Sequence, residues 1–283
     1  MATPKSISTI KSFRILRAFR RPGDLLTNAQ VSRRSGLPPS SVRRLLLTLR
    51  QIGAVERADE TRYRLGALMF SLGMGVSVQA CLLDAAKAEL ADLHHRLGLP
   101  VSMGIFEGQM WRCLVALARP GTHRSQPGAR YEPYCSAIGR VLLAALPDDR
   151  LEKFLSDDLV ALTPFTVTDG ALFRAEIVKI RETGLAVERE ENRMGTGCLA
   201  VPIRDEHGHV YAAIAASDTA CSLTAGRVAM LGGELMATAA AIQRILFPPP
   251  SRPVPDPRPV RRAGQRDTPV PAPQAARDVA LAP

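Results

Sequence analysis

Residues 36–56 read GLPPSSVRRLLLTLRQIGAVE, and this stretch limits what the chain can fold into more than any other. Two successive prolines are excluded from a helix interior but suit its first turn, whose N–H groups have no partner in any case. A helix therefore starts at Pro38 and Pro39. From there Val42, Leu45, Leu46 and Leu49 recur at helical spacing as one apolar stripe, and Gly53 closes the helix. Ser40, Ser41, Arg43, Arg44 and Thr48 stand off that stripe. Small polar groups and bare N–H dipoles at a helix start suit phosphate, and arginines one turn later can reach base edges. The stretch is thus a buried helix and a contact helix at once. Leu47 belongs to neither face and would pack under a neighbouring hairpin or in another contact.

The flanking sequence supplies the rest of a DNA-reading module. Ile7, Ile10, Phe13, Leu16 and Ala18 fall close to helical spacing, with Lys11, Arg14, Arg17 and Arg20 between them, and predict a first helix over residues 7–20. Asp24 to Thr27 breaks it; Thr27 caps a short second helix ending at Ser35, and Gly36 stops that one. After the third helix, Val55-Glu56-Arg57 and Arg62-Tyr63-Arg64-Leu65 flank a polar turn and read as a hairpin. Three short helices followed by a basic hairpin are the parts of a winged helix-turn-helix. Arg62 and Arg64 would touch phosphates or the minor groove, one of the two pairing instead with a nearby carboxylate.

Charge agrees with that division. Of the formal net charge of +10, residues 1–70 carry 14 basic against 4 acidic side chains, whereas residues 71–247 carry 17 against 20. A basic module on a slightly acidic body calls for a polyanion partner for the first and a different task for the second.

A long helical pattern over residues 78–97, with Leu82, Leu83, Ala86, Leu90, Leu93 and Leu97, ends at Gly98 and Pro100 and would link the two parts, its seam serving a dimer. Strands follow over 101–106 and 110–117, helices over 137–146 and 171–183, strands over 199–204 and 210–216 joined by the EHGH turn, and a last helix over 224–246. Hairpins interspersed with helices predict an α+β body. Eleven of the 22 prolines lie in residues 248–283, without an aromatic residue, which predicts a disordered tail. The five scattered cysteines form no C-x-x-C pair, so reduced thiols and no zinc site are expected. The first twenty residues are too charged for a signal peptide and no run of eighteen apolar residues occurs, so a soluble cytoplasmic protein with no membrane partner is expected.

Catalytic patterns are weak. Gly195-Thr196-Gly197-Cys198-Leu199-Ala200 fits G-x-G-x-x-A, but the polar EREENRM before it and the strand-like LAVPIRD after it invert the strand-then-helix order a dinucleotide needs. His94 and His95 are adjacent on a helix and point to different faces, His207 and His209 bracket a turn glycine, and Cys198 has no evident base in its segment. No catalytic residue, metal or cofactor is assigned, and a binding pocket is the expectation for the body.

Several separate motifs in order now resemble one family, the IclR-type bacterial transcriptional regulators: GLPPSSVRRLLLTLRQIGAVER with YRLG, then GARYEPYCSAIGRVLLAAL, then IRETGLAVEREENRMGTGCLAVPIRDEHGHVYAAIAAS. The similarity runs from about Ser6 to Phe247. Within the family, YCSAIGRVLLA and LLTLRQIGAVE look most like the branch regulating aromatic-acid catabolism through the beta-ketoadipate pathway. The resemblance implies a winged helix-turn-helix (6–66), a linker helix region (67–98) and a GAF-like effector-binding domain (99–247), and leaves out the tail (248–283). It implies double-stranded operator DNA and a small organic acid as partners, and a homodimer or dimer of dimers. Matched residue by residue, it implies an effector pocket of Ser136, Ala137 and Ile138 on one side and Glu188, Cys198 and Ser217 on the other. Ile138 stands where small residues are common, and Glu188 where the family often carries Asp. The two hydroxyls and the helix start at Ala137 suit a carboxylate, with Ile138, Leu142 and Met194 as apolar wall. Glu188 reads either as a pocket residue, protonated or accepting from a ligand hydroxyl, or as a solvated acid at a strand end. The alternative for the whole chain is an enzyme acting on a small carboxylic acid with an appended DNA-binding module, Cys198 and Glu188 then being catalytic.

Overall fold

A computed structural model describes residues 6–21, 23–122 and 125–248. The tail expected over 248–283 lies, but for Pro248, outside the described residues.

Helix α1 spans Ile7–Leu16, with Ser6 accepting from the Thr9 N–H as its cap. It is shorter than expected and turned: Phe13 is 60 % exposed, while Ile15, Ala18 and Phe19 are buried. The expected stripe holds at Leu16 and Ala18 but fails at Phe13 and omits Ile15 and Phe19, because α1 packs with its C-terminal end and the following turn rather than along its length. Strand β1 (Leu26–Thr27), not foreseen, follows; Thr27 then forms a capping box with Gln30 at the start of α2 (Asn28–Ser35). Gly36 ends α2 at φ 65°, a left-handed conformation that glycine adopts without a Cβ clash. Helix α3 spans Pro39–Gln51, and Val42, Leu45, Leu46 and Leu49 are its buried face. At about 1.5–3 kcal/mol for each fully buried aliphatic side chain, these four are the anchor of the module. Strands β2 (Val55–Arg57) and β3 (Arg62–Leu65) form the wing, and β1 adds to β3, giving the order β1-β3-β2.

The linker region is two helices, α4 (Ala67–Met74) and α5 (Val78–Leu97), bent by 56° at the break between them. Gly75, just after α4, marks the break, which the apolar run 67–74 concealed because it has no polar face to set a period. Among the described residues no single helix is long and apolar enough to cross a membrane, though this bent pair together passes on length and composition.

The C-terminal body is one six-stranded antiparallel sheet. Its strands are β4 (Val101–Glu107), β5 (Met110–Leu117), β6 (Arg130–Tyr131), β7 (Ala186–Arg189), β8 (Thr196–Arg204) and β9 (Val210–Thr219), in the order β6-β5-β4-β9-β8-β7. Helices α6 (Ala137–Ala144), α7 (Asp148–Leu155), α8 (Gly170–Thr183) and α9 (Ala225–Leu246) complete it; β6, β7 and α7 were not foreseen, being short or polar. Strand alternation gives the sheet two unlike faces. One carries Met103, Leu199, Val201, Ile203 and Ile214 against α5 and α9. The other carries Ala186, Ala200, Ala213 and Ala215 against α6 and α8. Small residues on the second face let a helix come close and leave space beside its end.

Candidate functional site

On the N-terminal module, Ser40, Arg43, Arg44 and Thr48 are exposed and Ser41 half-buried along the outer side of α3. Pro38 offers the helix no side-chain cap, so the first N–H groups of α3 stay available to an anion. Among the described residues, Arg43 and Arg44 have no carboxylate partner. Thr48 Oγ1 donates back to the Arg44 carbonyl at 3.3 Å. Both wing arginines, not one, are paired: Arg62 with Asp59 and Arg64 with Glu56. These pairs are exposed and screened by water, so a phosphate can displace either carboxylate. Leu47 is 48 % exposed and is not part of the module's buried cluster.

In the body, a cavity of about 620 Å³ opens between the sheet and the start of α6. Ser136, Ala137, Ile138, Glu188, Cys198 and Ser217 all line it, together with Ser102, Trp111, Arg119, Asn192, Asp218 and the end of α5 at Gly98 to Pro100. Two of the expected walls are elsewhere: Leu142 lies in the core under α6, and Met194 is 53 % exposed. Helical periodicity put Leu142 one turn below Ile138, but the cavity meets only the first turn of α6.

Close contact fixes that first turn. A Cβ on Gly139 would come within 2.2 Å of Pro133 Cα, so only glycine lets α6 approach the preceding loop so closely. Ser136 is the helix cap, accepting from the Gly139 N–H at 3.3 Å and donating to the Glu132 carbonyl at 3.1 Å. Ala137 and Ile138 follow that cap and line the cavity, and their N–H groups, in the first turn of the helix, have no intrahelical acceptor.

Strand register assembles the opposite wall. Glu188 pairs with Cys198 and Cys198 with Ser217, a row across β7, β8 and β9. The Cys198 Sγ and Ser217 Oγ are 3.2 Å apart. Glu188 is only 2 % exposed, so it is not a solvated acid. Its Oε1 accepts from the N–H groups of Glu191 at 2.6 Å and Asn192 at 3.1 Å. Burial outweighs those hydrogen bonds and pushes its carboxyl up to about 7. The turn that supplies them contains Glu190 at φ 59° and is held by Glu191, whose carboxylate accepts from Nη1 and Nη2 of the buried Arg140. Arg140 also meets Glu176 at 2.7 Å and lies over the Phe173 ring. Asp218 is neutralised by Arg227 at 3.0 Å.

Residues 8–59 match the IclR helix-turn-helix domain, and residues 75–244 match the family described as bacterial transcriptional regulator IclR, C-terminal. The chain belongs to the IclR family. It is 31 % identical over 214 residues (73 % of this chain, 72 % of that one) to the Pca regulon regulatory protein of Pseudomonas putida. With both family domains in place, this IclR-family chain is a DNA-binding transcriptional regulator. Among solved structures it is similar to Thermotoga maritima IclR (26 % identity, TM-score 0.56, covering 84 % of this chain and 98 % of that one). It shares its fold with an IclR homolog from Microbacterium hydrocarbonoxydans solved with 4-hydroxybenzoate (24 % identity, TM-score 0.56, covering 84 % and 98 %).

Sequence reasoning missed Trp111, Ser102, Arg119 and Asn192 in this regulator. A signal for Trp111 was present: it is the chain's only tryptophan. The segment with G-x-G-x-x-A runs straight into β8, with Gly195 at φ 75°, so no helix follows to receive a pyrophosphate.

Proposed function

We infer that this regulator binds a pseudo-palindromic operator as a dimer, through α3 and the wing, and that a small organic acid in the C-terminal cavity controls that binding. The observation that carries the reading is the cavity itself. Its wall combines the first turn of α6, the Ser102 and Ser217 hydroxyls and Arg119 with the turn that ends α5, the helix leading back to the DNA-binding module. A carboxylate finds donors there, and any shift of the Gly98 to Pro100 turn moves α5. His94 Nδ1, 2.6 Å from the Leu99 carbonyl, ties that turn to the helix. An acid that fits one placement of α5 better than another shifts the population of DNA-competent dimers by its differential affinity.

Ser40, Ser41, Arg43, Arg44 and Thr48 would meet one major groove, with Arg62 and Arg64 at the flanking phosphates. The dimer reading rests on α4, which has no buried residue and leaves Phe70, Leu72 and Met74 at 73, 60 and 72 % exposure. Apolar surface of that extent calls for cover, and a second copy provides it symmetrically. We place the protein with its operator in the cytoplasm.

The geometry disfavours the enzyme alternative. Burial pushes the Cys198 thiol up to about 12, so it is no nucleophile at neutral pH, and among the described residues no histidine lines the cavity to serve as base.

A thermal-shift screen of aliphatic and aromatic carboxylic acids on the full chain, followed by gel shift with operator, tests the reading. An acid that raises the melting temperature and changes operator affinity is the expected result. Turnover of that acid, or binding with no effect on operator affinity, overturns it.

A further inference from the structure

Leu47 takes no part in the core of the DNA-binding module: it is 48 % exposed and lies outside the cluster that buries Val42, Leu45, Leu46 and Leu49. At about 100° per residue around a helix, it stands roughly opposite that buried stripe. Ser40, Arg43, Arg44, Arg50 and Gln51 fall within about 60° of it on either side, and all of them are exposed. Leu47 is therefore the centre of the face that α3 turns outward. A leucine scattered singly on a surface needs no explanation, but this one is ringed by arginines and has no apolar side chain within the same arc. Among the described residues none of Arg43, Arg44 and Arg50 has a carboxylate partner.

Such a charge calls for a polyanion, and the centre of the face is the part pressed deepest into it. A side chain there points at the floor of a major groove, while those about 40–60° to either side point toward its walls and phosphates. Side-chain length agrees with that placement. The guanidinium arms reach outward to the rims, whereas a leucine touches only what lies directly beneath it. From Ser40 to Leu47 the helix rises about 10 Å, inside a groove about 12 Å wide, so hydroxyl, arginines and leucine enter together. On the floor of that groove the bases present ring nitrogens, carbonyl oxygens and amino groups, and thymine alone presents a methyl. Set against any of the polar groups, leucine would strip it of water and offer no hydrogen bond in return. Set against the C5-methyl, two apolar surfaces leave water together.

We propose that Leu47 is a specificity-determining residue of the DNA interface, reading the C5-methyl of one thymine in each half-site by apolar contact. The inference rests on α3 as the reading helix.

The test takes a duplex selected from a random-sequence pool by the full chain at fixed salt. Its thymines are replaced one at a time with deoxyuridine, which removes the methyl and keeps every hydrogen-bonding group. At one thymine of each half-site the replacement should weaken wild-type binding about three- to fivefold, the contribution of one buried methyl. Leu47→Ala should keep the wild-type melting temperature, because the position is exposed. It should bind the selected duplex more weakly than the wild type and lose nothing further from deoxyuridine at that thymine. For the wild type alone, 5-methylcytosine at that position should bind better than cytosine, since it carries the same methyl. A selected site with no thymine common to both half-sites, a wild type indifferent to every deoxyuridine, or a variant that still senses each of them overturns the methyl contact while leaving α3 on the DNA. Altered sedimentation of Leu47→Ala in the absence of DNA overturns it as well, for the residue would then belong to a contact between copies. If Arg43→Ala and Arg44→Ala also bind the selected duplex as the wild type does, the reading-helix assignment falls and takes this proposal with it.

Discussion

Glu188→Gln isolates the electrostatic cost built into the cavity. The carboxyl is 2 % exposed and titrates near 7 rather than at the ordinary 4.5, with burial as the dominant cause. The folded state therefore holds this proton more tightly than the unfolded state does. The favourable contribution is fully present below about pH 4.5 and is lost as pH rises to about 7, at about 1.4 kcal/mol for each pH unit across that window. The whole loss is about 3 kcal/mol. Glutamine keeps the Oε1 that accepts from the Glu191 and Asn192 N–H groups and never ionises. The variant should match the wild type near about pH 4.5 and exceed its stability by up to about 3 kcal/mol above pH 7. Urea unfolding followed by Trp111 emission, at steps from about pH 5 to about pH 8, reads the difference directly, because that residue lies in the same body and is the chain's only tryptophan. Parallel stability curves for the two proteins would refute the reasoning, since they would mean that Glu188 titrates alike folded and unfolded.

Arg43→Ala and Arg44→Ala should each weaken operator binding by roughly 1–3 kcal/mol where the side chain reads a base, and otherwise lower the salt slope by about one phosphate contact; fluorescence anisotropy at several salt concentrations separates the two, and no change in either variant would retire α3 as the reading helix. Phe70→Glu, on the exposed face of α4, should shift the protein toward monomer in sedimentation velocity, whereas an unchanged sedimentation profile would move the interface elsewhere. Gly139→Ala places a Cβ 2.2 Å from Pro133 Cα and should cost about 1–3 kcal/mol or more, lowering the melting temperature and weakening acid binding together, because the same first turn of α6 lines the cavity.

Much of this molecule is legible in one dimension. The proline start, the apolar stripe and the Gly53 stop set α3 to within a residue or two, because a helix end is decided by local backbone chemistry. The same holds for the Thr27 capping box and for α5, bounded by the Ser77 cap and by Gly98 at φ 64°. Where an element lacks such punctuation, the pattern misleads. On α1 the expected stripe holds at Leu16 and Ala18 but misplaces Phe13 and omits Ile15, which is buried by what packs on it and not by its own helix's period. Strand β7 went unseen because AVER is short and half polar; its Glu188 is buried by the partner strand and the helix layer above it.

The sequence by itself determined a basic reading module and its hydrophobic anchor, a long connecting helix and an α+β body, all of which follow from spacing, capping and the location of charge. Membership of a family could also be recognised, since motifs in order survive without any knowledge of distance. Only the tertiary structure decided which residues share the cavity. Trp111 and Ser217 are more than a hundred positions apart in the chain, and it is antiparallel register across β5, β4 and β9 that brings them to one face. The ionisation of Glu188 and the engagement of both wing arginines are likewise properties of surroundings. Burial and hydrogen-bond satisfaction arise from groups distant in sequence, and no periodicity encodes them.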